Sequence, residues 1–166
     1  VEAPKHYDTF GKDWLTIREA EVRFFRAMCY FQLIRLYGGV VLRTEEGGLD
    51  QGFVEENNPN DANDKPRSTE KESWALVLSD LNFAAQNLPS SWEKEQSGRI
   101  TKAGAYGYLS RAALWAGEWK AAADAADSCA KYGGALASSY DKVFSDQSVA
   151  ENLITVTFSS SGQTGL

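Results

Sequence analysis

The tightest constraint on the fold is a connection of two residues between two helical patterns. One pattern of apolar and small side chains covers 101–116, and the next begins at residue 119, with only Gly117 and Glu118 between them. A connection this short holds consecutive helices side by side and antiparallel. The sequence therefore predicts a closely packed helical hairpin over 101–132.

Small residues occupy the positions where the two helices of this hairpin would approach each other. Tyr106 and Leu109 are the large apolar residues of the first helix. The compact residues assigned to the contact are Ser110, Ala113, Ala122, Ala126 and Cys129. This arrangement is typical of a tetratricopeptide repeat, a helical pair of about 34 residues. One pair cannot bury its own apolar face, so we expect neighbouring helices to stack on it.

A longer helix is predicted upstream, over 14–37. Two mainly apolar stripes follow its surface, the first through Ile17, Glu21, Phe24, Met28 and Phe31, and the second through Val22, Phe25, Cys29, Leu33 and Leu36. Together the stripes cover most of the circumference, which predicts burial on more than one side. Gly38 and Gly39 end this helix, because glycine accepts the left-handed conformation that often follows one.

Another helix is predicted to begin at Thr69. Thr69 and Glu72 have the spacing of a capping box, in which each side chain satisfies a free backbone N–H of the other residue. Pro89 ends the pattern, because proline cannot continue a helix. We expect this helix and the longer one to form a first helical pair over 14–88, with the polar loop 43–67 inserted between them.

The C-terminal part is less regular. One helical turn is indicated over 140–144, and the alternation of β-branched residues over 152–158 predicts a short strand. The predicted fold is therefore mostly all-α, with tetratricopeptide-like hairpins, long loops and a short C-terminal strand. We expect 1–166 to be a single helical-repeat domain and a fragment of a longer chain.

Composition argues against several functions. The net charge of -6 does not fit a nucleic-acid-binding protein, which needs clustered basic residues. Cys29 and Cys129 lie in helical patterns, where we expect buried thiols, and His6 is the one histidine, so no zinc site is predicted. The polar stretch 55–64 has oxygen ligands without the EF-hand spacing, which favours a solvated loop over a calcium site. We expect neither a metal nor a cofactor.

Motifs for catalysis are also lacking. A glycosidase needs two placed carboxylates, and the 23 acidic residues contain no recognisable pair of this kind. Neither a glycine-rich phosphate loop nor a GxSxG nucleophile elbow occurs in the sequence. We therefore predict a binding protein and not an enzyme.

Four segments occur in an order that is more specific than any one of them. They are AEVRFFRAMCYFQLIRLYGGVVL over 20–42, the triplet 67–69 before SDLNFAAQNLP, 98–102 before AGAYGYLSRAALWAGEWKAAADAA, and 151–152 before the expected strand. In this order the segments resemble the SusD/RagB family over about 18–158. That family usually carries proline just after the glycine pair, where this chain has Val41.

The resemblance implies a location and a role. Such proteins are lipid-anchored at the outer-membrane surface, and no residue of this chain matches the lipid-bearing cysteine. They capture oligosaccharides, or peptides in some relatives, and deliver them to a SusC-like TonB-dependent barrel. The helical repeats are the scaffold, and the family's sugar-contacting aromatics lie outside the matched region. An alternative role is that of a helical-repeat adaptor that binds a peptide or a protein partner.

Aromatic residues are the candidates for any ligand contact within this chain, because sugar rings stack their C–H faces on aromatic rings. Trp74, Trp115 and Trp119 follow helical patterns and are predicted to lie in the core. Trp92, in a polar loop, is the first candidate for a sugar contact, and Trp14 is the second. Arg99 is expected to play an architectural role by pairing with a carboxylate of a neighbouring helix.

Overall fold

The computed structural model describes residues 12–44, 66–96, 98–145 and 151–154. Within these ranges the elements are α1 (Lys12–Tyr37), α2 (Glu70–Asn87), a short 3-10 helix (Lys94–Gln96), α3 (Lys102–Trp115), α4 (Trp119–Tyr132) and α5 (Tyr140–Ser145). The predicted mostly helical fold is confirmed. Of the strand predicted over 152–158, the described residues 152–154 are not in a strand: 153 and 154 form a bend, and 155–158 lie outside the described part.

Successive helices pack against each other along the chain. α1 packs on α2, α2 on α3, and α3 on α4. The core lies between these helices, and its largest fully buried side chains are Phe24, Phe31, Val77, Leu81 and Leu88. Buried alanines fill the remaining contacts and allow the helices to approach closely; they are Ala20, Ala27, Ala84, Ala85, Ala103, Ala105, Ala112, Ala113, Ala122 and Ala125.

The exit of α1 is fixed to the entrance of α2. Gly38 ends α1 with a positive φ of 70°, and at Gly39 a Cβ atom would meet the carbonyl oxygen of Ser68 at 2.2 Å. Arg67 donates to the carbonyl oxygens of Tyr37 (2.6 Å) and Gly39 (2.8 Å), so it satisfies acceptors that the helix end leaves free. Gly38 therefore provides the backbone conformation that ends α1, and Gly39 allows the chain after α1 to touch the chain before α2.

The predicted capping box at the start of α2 is confirmed. The Glu72 backbone N–H donates to Thr69 Oγ1 at 3.2 Å, and the Thr69 backbone N–H donates to Glu72 Oε2 at 2.8 Å. The Thr69 hydroxyl also donates to Glu72 Oε2. These hydrogen bonds hold the pKa of Glu72 below its ordinary value.

The capping carboxylate predicts a pH dependence of stability. Because the pKa of Glu72 is lower in the folded chain than in the unfolded one, its contribution is present above the unfolded pKa and is lost as the pH falls through the folded pKa. We expect Glu72→Gln to be less stable than the unchanged chain at pH 7, and this difference to shrink below pH 4 or so. Urea unfolding at several pH values measures it, and a gap that does not depend on pH would contradict the account.

The hairpin of α3 and α4 is closely packed through small residues. Gly117 makes the turn with a φ of 79°, and the Ser110 hydroxyl donates to the Ala122 carbonyl oxygen at 2.8 Å. A Cβ atom on Gly107 would lie 3.3 Å from Cys129 Sγ, so the helices are in close contact there as well. The assignment of Ala126 to this contact is wrong, because Ala126 is exposed and Ala125 is buried in its place.

The buried position of Ala122 predicts a local intolerance of larger side chains. Ala122→Leu should lower the free energy of unfolding by about 1–3 kcal/mol, since added methylenes in a packed contact force the helices apart. Ala123→Leu, one residue further along α4 and exposed, is the matched control and should leave stability nearly unchanged. Equal melting temperatures for the two variants would show that α4 packs through a different face.

Two expectations about burial are wrong. α1 buries one stripe, which includes Ala20, Phe24, Ala27, Phe31 and Ile34, and its second predicted stripe is exposed in the described structure. Cys29 belongs to that exposed stripe, whereas Cys129 is half-buried, and burial raises the pKa of the Cys129 thiol. The two cysteines are not bonded to each other.

The second wrong expectation concerns two tryptophans. Trp74 is buried as predicted, but Trp115 is 52% exposed and Trp119 is 68% exposed. Trp115 is the last residue of α3 and Trp119 is the first of α4, so both stand at the hairpin turn, where few described residues can cover them.

Candidate ligand-binding surface

Two tryptophans and two arginines gather at the N-terminal end of α1 around one carboxylate. We call Trp14, Arg18, Glu21, Trp92 and Arg99 the tryptophan–arginine cluster. Trp14, Arg18 and Glu21 lie on one face of α1, because residues four and three apart follow each other on a helix surface. Trp92 and Arg99 come from the connection between α2 and α3.

Arg18 is the centre of this cluster. Its guanidinium lies 5.2 Å from the ring centroid of Trp14 and 5.6 Å from that of Trp92. The guanidinium of Arg99 lies over the same Trp92 ring at 4.2 Å. These distances are those of cation–π contacts, which hold a planar cation against an aromatic face. The structure thus brings the two predicted candidates, Trp14 and Trp92, to one place.

Glu21 links the two arginines. Glu21 accepts from Arg18 Nη1 at 2.7 Å and from Arg99 Nε at 2.7 Å, and Arg99 Nη2 also donates to it. Arg99 donates further to Gln96 Oε1 at 2.9 Å. The prediction that Arg99 pairs with a carboxylate of another helix is confirmed, and the pair ties the α2–α3 connection to α1.

The carboxyl group of Glu21 is partly shielded from solvent. Burial raises the pKa of the Glu21 carboxyl, while the charge of Arg18 and its hydrogen bond act in the opposite direction. The Nε atom of Arg18 is buried without a hydrogen-bond partner in the described structure. The cluster is therefore a partly enclosed site in which both guanidiniums are held by Glu21 and lie against the tryptophan rings.

The two tryptophans differ in how much surface they offer. Trp92 is half-buried, its indole N–H donates to the Ile100 carbonyl oxygen at 2.8 Å, and Arg99 lies against its ring. Trp14, in the first turns of α1, is 38% exposed. Trp14 is thus the more exposed of the two rings, and Trp92 is the more enclosed.

A cleft elsewhere on the molecule is smaller than the usual pocket for a small-molecule ligand. It lies between α2, α3 and α4, has a volume of about 230 Å³, and is lined in part by Leu78, Asn82, Tyr106 and Asp124. Pockets for small-molecule ligands usually enclose roughly 300–1,000 Å³. An exposed aromatic surface is thus a better candidate for binding an extended ligand than this cleft.

Other sites are restricted by what the described residues contain. Among them, no group of three or more His, Cys, Asp or Glu side chains is placed to hold a metal ion. The stretch 55–64, considered above for calcium, lies outside the described residues. None of the described helices has the length and apolar character needed to cross a membrane.

Comparison with known proteins gives one consistent family. Residues 8–114 match a SusD-like family model described as starch-binding and associating with the outer membrane. A SusD-like protein of Bacteroides ovatus is 30% identical over 100 residues, which are 60% of this chain and 16% of that protein. The chain thus spans about one sixth of the length of this curated relative.

Solved structures agree with this result. A SusD-like protein from Bacteroides fragilis is 34% identical with a TM-score of 0.64, over 77% of this chain and 23% of that one. A protein solved with a xylogluco-oligosaccharide is 25% identical with a TM-score of 0.66, over 89% of this chain and 30% of that one.

Proposed function

Because the chain belongs to the SusD-like family, we propose that it is the helical part of a protein that captures an oligosaccharide without altering it. The family description as starch-binding supports a carbohydrate ligand. A relative solved with a xylogluco-oligosaccharide supports the same ligand class. The chain covers less than a third of that relative, and we propose that the ligand surface of the whole protein includes residues beyond this chain.

The tryptophan–arginine cluster is the observation that carries this proposal within the chain. A sugar ring has a flat apolar face of C–H groups and an edge of hydroxyls. The partly exposed ring of Trp14 matches the flat face, and the neighbouring Arg18 guanidinium supplies N–H donors for hydroxyl oxygens. Glu21 forms ion pairs with both arginines, so each guanidinium keeps its carboxylate partner when a neutral ligand binds.

The same cluster supports binding over catalysis. Hydrolysis of a glycosidic bond uses two carboxyl groups, one as an acid and one as a nucleophile or base. Glu21 is the one carboxylate among the cluster residues, and two guanidiniums engage it. We therefore propose capture of the glycan without turnover.

Location and partners complete the proposal. We propose that the whole protein is held at the outer-membrane surface by a lipid anchor that is not in this chain, and that it delivers its glycan to a SusC-like TonB-dependent barrel. The family description as associating with the outer membrane supports the location. We also propose that 1–166 is one domain of a longer protein, with 14–88 and 101–132 as its helical pairs.

A glycan array followed by product analysis tests the proposed function. The chain should be retained on at least one oligosaccharide or polysaccharide, and chromatography of the same glycan after incubation should detect no shorter products. Release of products would assign an enzyme in place of a binding protein. Failure of the complete protein to bind any glycan would contradict the proposal directly.

A second candidate function rests on the exposed stripe of α1. Val22, Phe25, Leu33 and Leu36 are each more than 40% exposed on one long helix. Exposed apolar surface of this kind marks sites of contact with other polypeptide surfaces, which favours an adaptor role. Tight binding of a peptide library by the complete protein, together with no binding to the glycan array, would support this role over glycan capture.

A further inference from the structure

A second group of aromatic and basic residues lies at the other end of α1. We call Gln32, Arg35, Tyr108, Arg111 and Trp115 the arginine patch. Gln32 and Arg35 belong to the last turns of α1, and the other three belong to α3. Trp14 and Arg35 are separated by roughly 30 Å along the helix axis, so the patch is distinct from the tryptophan–arginine cluster.

Both guanidiniums of the patch converge on one buried ring. Arg35 lies 5.4 Å and Arg111 lies 5.5 Å from the ring centroid of Phe31, which is fully buried. Arg35 also lies 4.7 Å from the ring of Trp115. Both arginines are exposed, so they present N–H groups to solvent above an apolar floor.

Further hydrogen-bonding groups face the same place. Arg35 Nη1 donates to Gln32 Oε1 at 3.3 Å, which places the Gln32 amide beside this guanidinium. The Tyr108 ring packs edge-on against Phe31 at 5.3 Å, and both guanidiniums lie on that same Phe31 ring. Burial raises the pKa of Tyr108, and the charges of Arg111 and Arg35 act in the opposite direction. Two guanidiniums, an amide and a phenol therefore converge on one surface.

Arg35 and Arg111 differ from four other arginines in their ion pairing among the described residues. Within the described part of the chain, Arg18, Arg23, Arg26 and Arg99 form ion pairs with glutamate or aspartate. Arg35 and Arg111 form no such pair with the described carboxylates. No carboxylate in the described part of the chain compensates these two cations, although the net charge of the chain is -6. Convergent guanidinium donors without a carboxylate partner are an arrangement that can bind an oxyanion.

The neighbouring tryptophan identifies the kind of molecule that carries the oxyanion. Trp115 is 52% exposed, so much of its indole remains available beside Arg35. A guanidinium can donate two parallel N–H hydrogen bonds to a carboxylate or a sulfate. An indole ring can stack on the face of a sugar ring. We propose that the arginine patch binds the anionic group, carboxylate or sulfate, of an acidic oligosaccharide whose ring stacks on Trp115. This inference rests on the proposed glycan-binding function and adds a charged ligand class to it.

Calorimetry with chemically matched probes tests the inference. The probes are trigalacturonate, its fully methyl-esterified form, which keeps the sugar and removes the charge, and a sulfated galactan oligosaccharide. The unchanged chain should bind at least one of the acidic probes about tenfold or more tighter than the neutral ester. The probe that is preferred identifies carboxylate or sulfate as the recognised group.

Variants assign that preference to the patch. Arg35→Gln combined with Arg111→Gln should abolish the preference for the acidic probe. Trp115→Ala should weaken the binding of the acidic probe about tenfold. The matched control is Lys120→Gln combined with Lys142→Gln, which removes the same charge from exposed positions elsewhere and should retain the preference. Thermal melts of every variant verify that it folds.

Several outcomes would overturn the inference. Equal binding of the acidic and neutral probes by the unchanged chain would do so without any variant, while leaving glycan capture intact. A double variant that has a lower melting temperature but keeps the preference for the acidic probe would mean that the two arginines only cover Phe31. Binding of oligoglutamate as tight as that of the acidic sugar, and unaffected by Trp115→Ala, would indicate an acidic polypeptide instead. Binding of no acidic probe would also overturn it.

Discussion

Replacing Asp80 with alanine should lower the free energy of unfolding by about 3–5 kcal/mol, a large part of the stability of a typical domain. Asp80 is fully buried on α2 and accepts from Arg26 of α1 at 2.7 and 2.8 Å through both carboxylate oxygens. Arg23 adds a second cation at 3.7 Å. Removing the carboxylate takes away the counter-charge that Asp80 supplies to Arg26 between the two helices, and this loss is the source of the cost.

Urea unfolding followed by circular dichroism measures this effect. Asp124→Ala is the matched control, because Asp124 pairs with Lys120 at 2.8 Å on the exposed surface of α4, where solvent screens the pair. The control should unfold at nearly the same urea concentration as the unchanged chain. A loss at Asp80 no larger than that at Asp124 would mean that the ion pair does not hold α1 against α2.

Phe31→Ala should have a comparable effect, about 3–5 kcal/mol, because it opens a cavity at the centre of the core. Phe31 is fully buried and meets the rings of Trp74 at 5.7 Å, Tyr108 at 5.3 Å and Trp115 at 6.4 Å. These rings belong to α2 and α3, so one side chain of α1 contacts both neighbouring helices. The loss should appear in the same unfolding experiment.

Phe25→Ala provides the control for this prediction. It is the same change on the same helix, but Phe25 is 51% exposed, so stability should change by roughly 0.5 kcal/mol or less. The comparison also tests which stripe of α1 is buried in solution. A larger loss at Phe25 than at Phe31 would reverse the orientation of α1 described above.

The helices could be predicted from the sequence because their ends carry local signals. Thr69 at the start of α2 and Gly38 at the end of α1 act through hydrogen bonds and backbone conformation within a few residues. Such interactions involve residues that are close together in the sequence, so the sequence pattern alone predicts them. The observed bounds of α2, Glu70–Asn87, therefore lie within about one residue of the predicted ones.

Burial could not be predicted equally well, because it depends on what lies across from each face. Both stripes of α1 are apolar, and the sequence does not tell which one meets α2. In α4 the run of alanines makes adjacent packing registers nearly equal, so Ala125 and Ala126 could not be distinguished. Trp115 and Trp119 fit a helical period but stand at a turn that leaves them partly uncovered.

The candidate site was visible in the sequence only as separate residues. Trp14 and Trp92 could be named because exposed aromatics suit sugars, but their meeting at Arg18 depends on packing between distant segments. The contact of Arg99 with Glu21 joins residues 78 positions apart. The arginine patch was not predicted at all, since Trp115 was assigned to the core and no sequence signal marks arginines that lack an acidic partner.

Calorimetric titration of a neutral oligosaccharide into three forms of the chain tests the central claim most directly. The first neutral probe is a xylogluco-oligosaccharide, followed by any glycan that the array retains. The account predicts that Trp14→Ala binds about tenfold more weakly than the unchanged chain, about 1.4 kcal/mol, because one stacking face is lost. Trp119→Ala, which removes an equally large exposed ring outside the cluster, should bind normally. Unchanged affinity in Trp14→Ala would contradict the claim that this chain contributes the tryptophan–arginine cluster to glycan capture.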